Sequence, residues 1–196
     1  MTLYKNREKF NKFSEKIGYI FSTIGLTPNQ WTFLSIIIAL IGVWFIVNYN
    51  FFWGAIFVLI SIFLDIVDGS VARATKQVSK IGGYLDTIVD RYVEAFIIGG
   101  LVLINLPDFI IDFRFWLFAY FFGSLMTTYV KAAAVEKNLK KSEIRGGLVE
   151  RADRMILLII GLFLAVLSPV YLVYMVVLLA FLSNITTLQR IKIAFS

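Results

Sequence analysis

Residues 51–90 read FFWGAIFVLISIFLDIVDGSVARATKQVSKIGGYLDTIVD. An apolar run, Phe51–Leu64, ends in Asp65, Asp68, Gly69 and Arg73. A second acidic pair, Asp86 and Asp90, stands beside another apolar run. Carboxylates next to greasy segments are costly to desolvate, so something must compensate them. Asp65 and Asp68 are three apart, and Asp86 and Asp90 four apart, so each pair shares one face of a helix. Two such helices can aim four carboxylates at one point. Bare, that group would repel itself. One or two divalent ions relieve the repulsion, and a pair of ions can clamp a phosphoryl transfer. A salt bridge to Arg73 or Arg91 would explain one of the aspartates, and a packing network two. Four at regular spacing, flanked by Gly69, Gly82 and Gly83, point to a functional site.

The composition narrows the chemistry. Of 196 residues, 59% are hydrophobic and 16% charged, against roughly half and a quarter in soluble domains. Mean hydropathy is +0.82. These values describe a membrane protein. There is no cysteine and no histidine, which excludes disulfides, thiolates, imidazole-bound zinc and histidine acid–base catalysis. A metal here must be held by oxygen, which selects a hard cation such as magnesium or manganese.

Runs of about 20 apolar residues mark spans. They are expected near Trp31–Val47, Phe52 to beyond Asp68, Gly83–Ile104, Arg114–Ala134, Met155–Leu167 and Val170–Thr187. The expectation is an all-α integral membrane fold of six transmembrane helices in one domain, residues 25–196. Residues 1–24 lack the long apolar core of a signal peptide. There Phe10, Phe13, Ile17, Ile20 and Phe21 recur at helical spacing among Lys5, Arg7, Lys9, Lys12 and Lys16, which predicts an amphipathic helix on the membrane surface. Of the 19 lysines and arginines, all but Arg114 fall on one side of this layout. By the positive-inside rule both termini and the aspartates are cytoplasmic. The net charge of +6 belongs to that membrane face and implies no nucleic-acid partner.

Residues 65–90 are similar to the D-x2-D-G-x2-A-R-x8-G-x3-D-x3-D signature of the CDP-alcohol phosphotransferases. Asp65, Asp68, Gly69, Ala72, Arg73, Gly82, Asp86 and Asp90 fill every fixed position. The resemblance implies an enzyme that cleaves the pyrophosphate of a CDP-linked substrate, passes the phosphatidyl-type group to an alcohol and releases CMP. It implies that Asp65, Asp68 and Asp86 bind magnesium or manganese, as two ions. By the same resemblance Asp90 is expected to face that metal site and to act as the general base on the acceptor hydroxyl. Gly69, Arg73 and Ser79 are expected to hold the CDP moiety. The stretch LTPNQWT resembles the family segment before the first span and adds Asn29, Gln30, Trp31 and Thr32. A homodimer is implied in the same way.

The basic segment after the fourth span resembles the branch of that family whose acceptor is inositol phosphate. Thr128, Lys131, Arg154 (within ERADR) and Arg190 (within LQRI) match its acceptor-phosphate positions. Several cations suit a second, dianionic phosphate. Lys137, Lys140 and Lys141 read as an ordinary loop. The branch often has serine where Thr128 stands, and the loop from Lys131 to Arg154 is longer and richer in lysine. A glycerol phosphate acceptor therefore stays open, as do CDP-archaeol or CDP-diacylglycerol as donor and a soluble product, di-inositol phosphate phosphate, from CDP-inositol. A reading from another class, a divalent-cation carrier, is disfavoured because Arg73 beside the carboxylates would repel the cargo.

Overall fold

The computed structural model describes residues 7–140, 144 and 146–195, with side chains from Ser14 onward. Lys5, Arg7, Lys9, Phe10, Lys12, Phe13, Lys141 and Arg145, used above in reading the surface helix and the charge asymmetry, lie outside the described side chains. Among the described residues seven helices follow in order: α1 Arg7–Ser22, α2 Pro28–Val47, α3 Phe51–Ala74, α4 Lys80–Val102, α5 Phe113–Glu136, α6 Arg151–Ala165 and α7 Pro169–Phe195. Among the described residues there is no strand, only an isolated bridge between Phe109 and Ile111.

Local chemistry sets the boundaries. Pro28 opens α2, where its missing N–H costs nothing. The Thr27 N–H donates to Gln30 Oε1 at 2.8 Å, half of a capping box. Tyr49, Lys76 and Asn138 take left-handed backbone just past α2, α3 and α5. The next amide in each case bonds back five residues, Asn50 to Phe45, Gln77 to Ala72 and Leu139 to Ala134, each at 2.9 Å. These are Schellman closures made without glycine.

The helices α2, α3 and α7 are long and apolar enough to cross a membrane. The α7 helix runs to Phe195, eight residues past the expected end at Thr187, so Arg190 and Lys192 sit on a helix and not on a tail.

By its internal contacts the chain forms two compact units, residues 1–43 with 56–97 and residues 44–55 with 98–196. In the first, Ile17, Trp31, Leu64, Val67 and Val71 make the core, with Phe21, Leu26, Leu34 and Ile38 against it. The α1 helix is therefore more than a surface float: Ile17 and Phe21 go into this core, while Tyr19 and Ile20 stay exposed. A Cβ at Gly18 would collide with the Ser70 carbonyl of α3, so only glycine lets the two helices come this close. In the second unit, α7 packs against both α5 and α6. Gly123 on α5 makes room for Asn184 of α7, whose Nδ2 donates to the carbonyls of Ala119 at 2.9 Å and Ala180 at 2.8 Å. Small residues with polar cross-links are how apolar helices hold together where burial alone gives little preference.

Candidate functional site

The α3 helix presents Asp65 and Asp68 on one face, and α4 presents Asp86. Oxygens from these three carboxylates lie within 4.8 Å of one another. Oxygens on opposite sides of one magnesium stand about 4 Å apart, so small rotamer changes would let the three grip a hard cation. Oxygen-only donors and clustered negative charge fit that group. Asp90, one turn further along α4, lies outside this set of three. Its Oδ2 is 3.6 Å from Arg91 Nη2, and Arg91 Nη1 is 3.4 Å from Glu94 Oε2. Glu94 is only 1% exposed. The sequence reading passed over this buried acid because it lies beyond the signature.

The residues proposed for the CDP moiety occupy several different settings. Thr32 is buried, and its hydroxyl donates to Asp68 Oδ2 at 2.5 Å. It thus orients a carboxylate of the cluster. Gln30 spends its side chain on the α2 cap. Trp31 gives its ring to the core, edge-to-face on Phe21 at 5.4 Å, and its Nε1 has no hydrogen-bond partner among the described residues. Asn29 is exposed beside Gly82: a Cβ there would meet Ser79 Oγ at 3.1 Å and Asn29 Oδ1 at 3.7 Å. Ser79 accepts from the Gly82 N–H at 3.0 Å and so caps α4. The space over Gly69 is taken by Arg73, whose Nη1 would stand 3.3 Å from a Cβ at that position. Arg73 Nη2 in turn donates to Ser14 Oγ at 2.6 Å and Ser70 Oγ at 3.3 Å.

The second unit holds the other set. Arg154 on α6 and Arg190 on α7 are 1% and 3% exposed. Arg154 Nη2 donates to Ser124 Oγ at 2.9 Å, and its Nη1 reaches Thr127 Oγ1 at 3.5 Å. Arg190 donates from Nη1 to the Thr127 carbonyl at 2.9 Å and from Nε to the Gly146 carbonyl at 3.0 Å. Thr128 and Lys131, both half-buried, continue the α5 face that starts at Ser124 and Thr127. The positions 124, 127, 128 and 131 follow the i, i+3, i+4, i+7 pattern of a single stripe. Ser124 and Thr127 were missed in the sequence, although a polar stripe on an apolar helix was there to find.

Backbone geometry delivers these arginines. Gly146 and Gly147 have φ of +111° and +116°, a conformation costly for other residues. The segment they begin is tied to α7: the Leu148 N–H donates to Gln189 Oε1 at 2.9 Å and the Val149 N–H to Thr186 Oγ1 at 3.2 Å. The Glu150 N–H then donates to Asp153 Oδ2 at 2.9 Å, which starts α6 one turn before Arg154.

Known proteins share this arrangement of sequence and fold. Residues 25–188 match the family model of CDP-alcohol phosphatidyltransferases. The archaetidylinositol phosphate synthase of Pyrococcus horikoshii is 35% identical over 190 residues, which span 96% of this chain and 94% of that one. The crystal structure of Mycobacterium tuberculosis phosphatidylinositol phosphate synthase with CDP-DAG bound superposes with a TM-score of 0.82 at 25% identity, covering 94% of each chain. A structure of the same mycobacterial enzyme in complex with manganese and citrate also gives 0.82 at 25% identity, covering 93% of this chain and 89% of that one. The chain belongs to the CDP-alcohol phosphatidyltransferase family, and it is a transferase.

Proposed function

We propose that this member of the family transfers the phosphatidyl-type group of a CDP-lipid to inositol 1-phosphate and releases CMP. The observation that carries the acceptor is the pair of buried arginines, Arg154 and Arg190, each held in place by neutral oxygens of α5. Pre-oriented guanidinium groups suit a dianionic phosphate. A neutral polyol would need neither. The relatives named above make inositol phosphate lipids, which supports the same choice. The donor we favour is CDP-archaeol, after the archaeal relative, over CDP-diacylglycerol.

In this reading Asp65, Asp68 and Asp86 hold two ions of magnesium or manganese, with Asp90 facing them. When bound, the metal neutralises the charge that grows on departing CMP. Arg73, with Gly69, Asn29 and Ser79 nearby in the chain's first unit, takes the CDP pyrophosphate. Thr128, Lys131, Arg154 and Arg190 take the acceptor's phosphate. Asp90 removes the proton from the acceptor hydroxyl. That oxygen bonds to the lipid-side phosphorus, and the bond between this phosphorus and the CMP oxygen breaks. The helices α2–α7 serve as six spans with the site and both termini cytoplasmic, and the protein works as a homodimer.

The test is CMP release by purified protein with a CDP-lipid and Mg2+ or Mn2+, comparing inositol 1-phosphate, glycerol 1- and 3-phosphate, inositol and serine. Release with inositol 1-phosphate, abolished by EDTA, is the expected result. Release with only a glycerol phosphate would replace the acceptor and keep the reaction. CDP-inositol as sole productive donor would favour the soluble product. Asp90→Asn should lower turnover on the order of 10²- to 10⁴-fold while CDP-lipid still binds. A fully active Asp90→Asn would remove Asp90 from the role of base.

A further inference from the structure

The α1 helix reaches the Arg73 side chain through Ser14. Ser70 gives its hydroxyl proton to the Ile66 carbonyl at 2.7 Å, one turn back on α3. Its oxygen is then an acceptor. Ser14 Oγ lies 2.8 Å from Ser70 Oγ, so the proton between them comes from Ser14. The Ser14 lone pairs remain for Arg73, whose Nη2 donates to them at 2.6 Å. The result is a directed chain from Arg73 to Ser14 to Ser70 to the Ile66 carbonyl. Ser14 and Ser70 are buried, while Arg73 is exposed. One end of the chain is thus fixed in the interior, and the other holds the guanidinium by its shorter bond, 2.6 Å to Ser14 against 3.3 Å for the direct one to Ser70. The Gly18 contact with the Ser70 carbonyl clamps α1 at the same residue. Helix α1 is packed so that a hydroxyl at position 14 meets Arg73.

We propose that Ser14 is a positioning residue of the donor site: it holds the Arg73 guanidinium over Gly69 in the orientation that receives the pyrophosphate of the CDP-lipid. This rests on the reading of Arg73 given under the proposed function. An arginine fork recognises phosphate oxygens through fixed planar geometry, so its orientation matters as much as its charge.

The experiment measures CMP release with CDP-lipid and acceptor varied separately, for the unaltered protein and for Ser14→Ala, Ser14→Val and Ser14→Thr. Ser14→Ala and Ser14→Val should raise KM for the CDP-lipid about tenfold, the scale of one hydrogen bond to a charged group. KM for the acceptor should move less than twofold. Ser14→Thr keeps the hydroxyl and should restore the donor KM. In an Arg73→Ala background, Ser14→Ala should change nothing further, because its effect passes through Arg73. This double variant also covers loss of folding: a purely structural role would add its damage in both backgrounds. An unshifted donor KM in Ser14→Ala, equal shifts in both substrates, or additivity with Arg73→Ala would each overturn the assignment alone. No CMP release by the unaltered protein with any CDP-lipid would overturn the reading of the site, and the assignment with it.

Discussion

Thr32 and Asp68 meet across 36 positions of sequence through one short hydrogen bond. A hydroxyl that orients a ligating carboxylate commonly governs metal affinity by about 10- to 100-fold. Thr32→Val, which keeps the shape and drops the hydroxyl, should weaken Mn2+ activation of CMP release by that range. Thr32→Ser should not. A manganese titration of the two variants decides it, and equal midpoints would show that Asp68 needs no such support. The contrast with the aspartates themselves explains what a sequence can disclose at this scale. Asp65, Asp68 and Asp86 are legible because their chemistry is unusual in an apolar context and their spacing is fixed by the helix. Thr32, Ser14 and Ser70 are illegible because hydroxyls are common on apolar helices, and nothing local says which distant residue they meet. Gln30 and Ser79 show the converse. Their place beside the motif makes a ligand role legible, but not the helix-capping bonds that both also make.

Elements were easier to read than their ends and their faces. The α1 periodicity in residues 10–21 was plain, but the pattern only separates apolar from polar. That Ile17 and Phe21 enter a core while Ile20 stays outside depends on α3. The α7 boundary was set too early because the apolar run stops near Thr187, whereas the helix does not. Its last turns are held by side chains that reach the strap before α6: Thr186, Gln189 and Arg190 all bond to residues 146–149. The strap depends in turn on Gly147. At φ +116° an alanine is strained, and its Cβ would stand 2.6 Å from Thr186 Cγ2. Strain of this kind costs about 1–3 kcal/mol before the clash is added. Gly147→Ala should therefore lower the thermal midpoint in detergent by several degrees and impair use of the phosphorylated acceptor, because Arg154 and Arg190 are placed by the same strap. The donor KM should be spared. Unchanged stability and acceptor KM would mean that the strap is not what places the arginines.

At the scale of the whole molecule, the helices differ in how plainly they show a membrane crossing. Hydropathy and length qualify α2, α3 and α7. The α4 helix has 23 residues and α5 has 24, or about 34 and 36 Å at 1.5 Å per residue, enough for a hydrocarbon core of about 30 Å. What dilutes the α4 signal is its charged set, Asp86, Asp90, Arg91 and Glu94, of which Asp86 belongs to the carboxylate cluster. Intramembrane charge and an apolar signal oppose each other, so a hydropathy test passes over α4, although α3, with Asp65 and Asp68, still meets it. The charge distribution is the independent guide. In the sequence Arg114 is the one cation expected on the far side, and it bonds to Asn105 Oδ1 at 3.1 Å and to the Val102 carbonyl at 3.3 Å. Six spans place residues 76 and 138 on the cytoplasmic side and residue 110 on the other. The chain has no cysteine of its own, so single substitutions report directly. Lys76→Cys and Asn138→Cys should react with a membrane-impermeant maleimide only when the cytoplasmic face is open to it. Ile110→Cys, at a position 86% exposed, should react only from the opposite face. Residues 76 and 110 labelled from one side would show that α4 does not cross. That would remove the carboxylates from the interface where a lipid donor and a water-soluble acceptor meet, because the positive-inside asymmetry would then no longer fix which face the site looks toward.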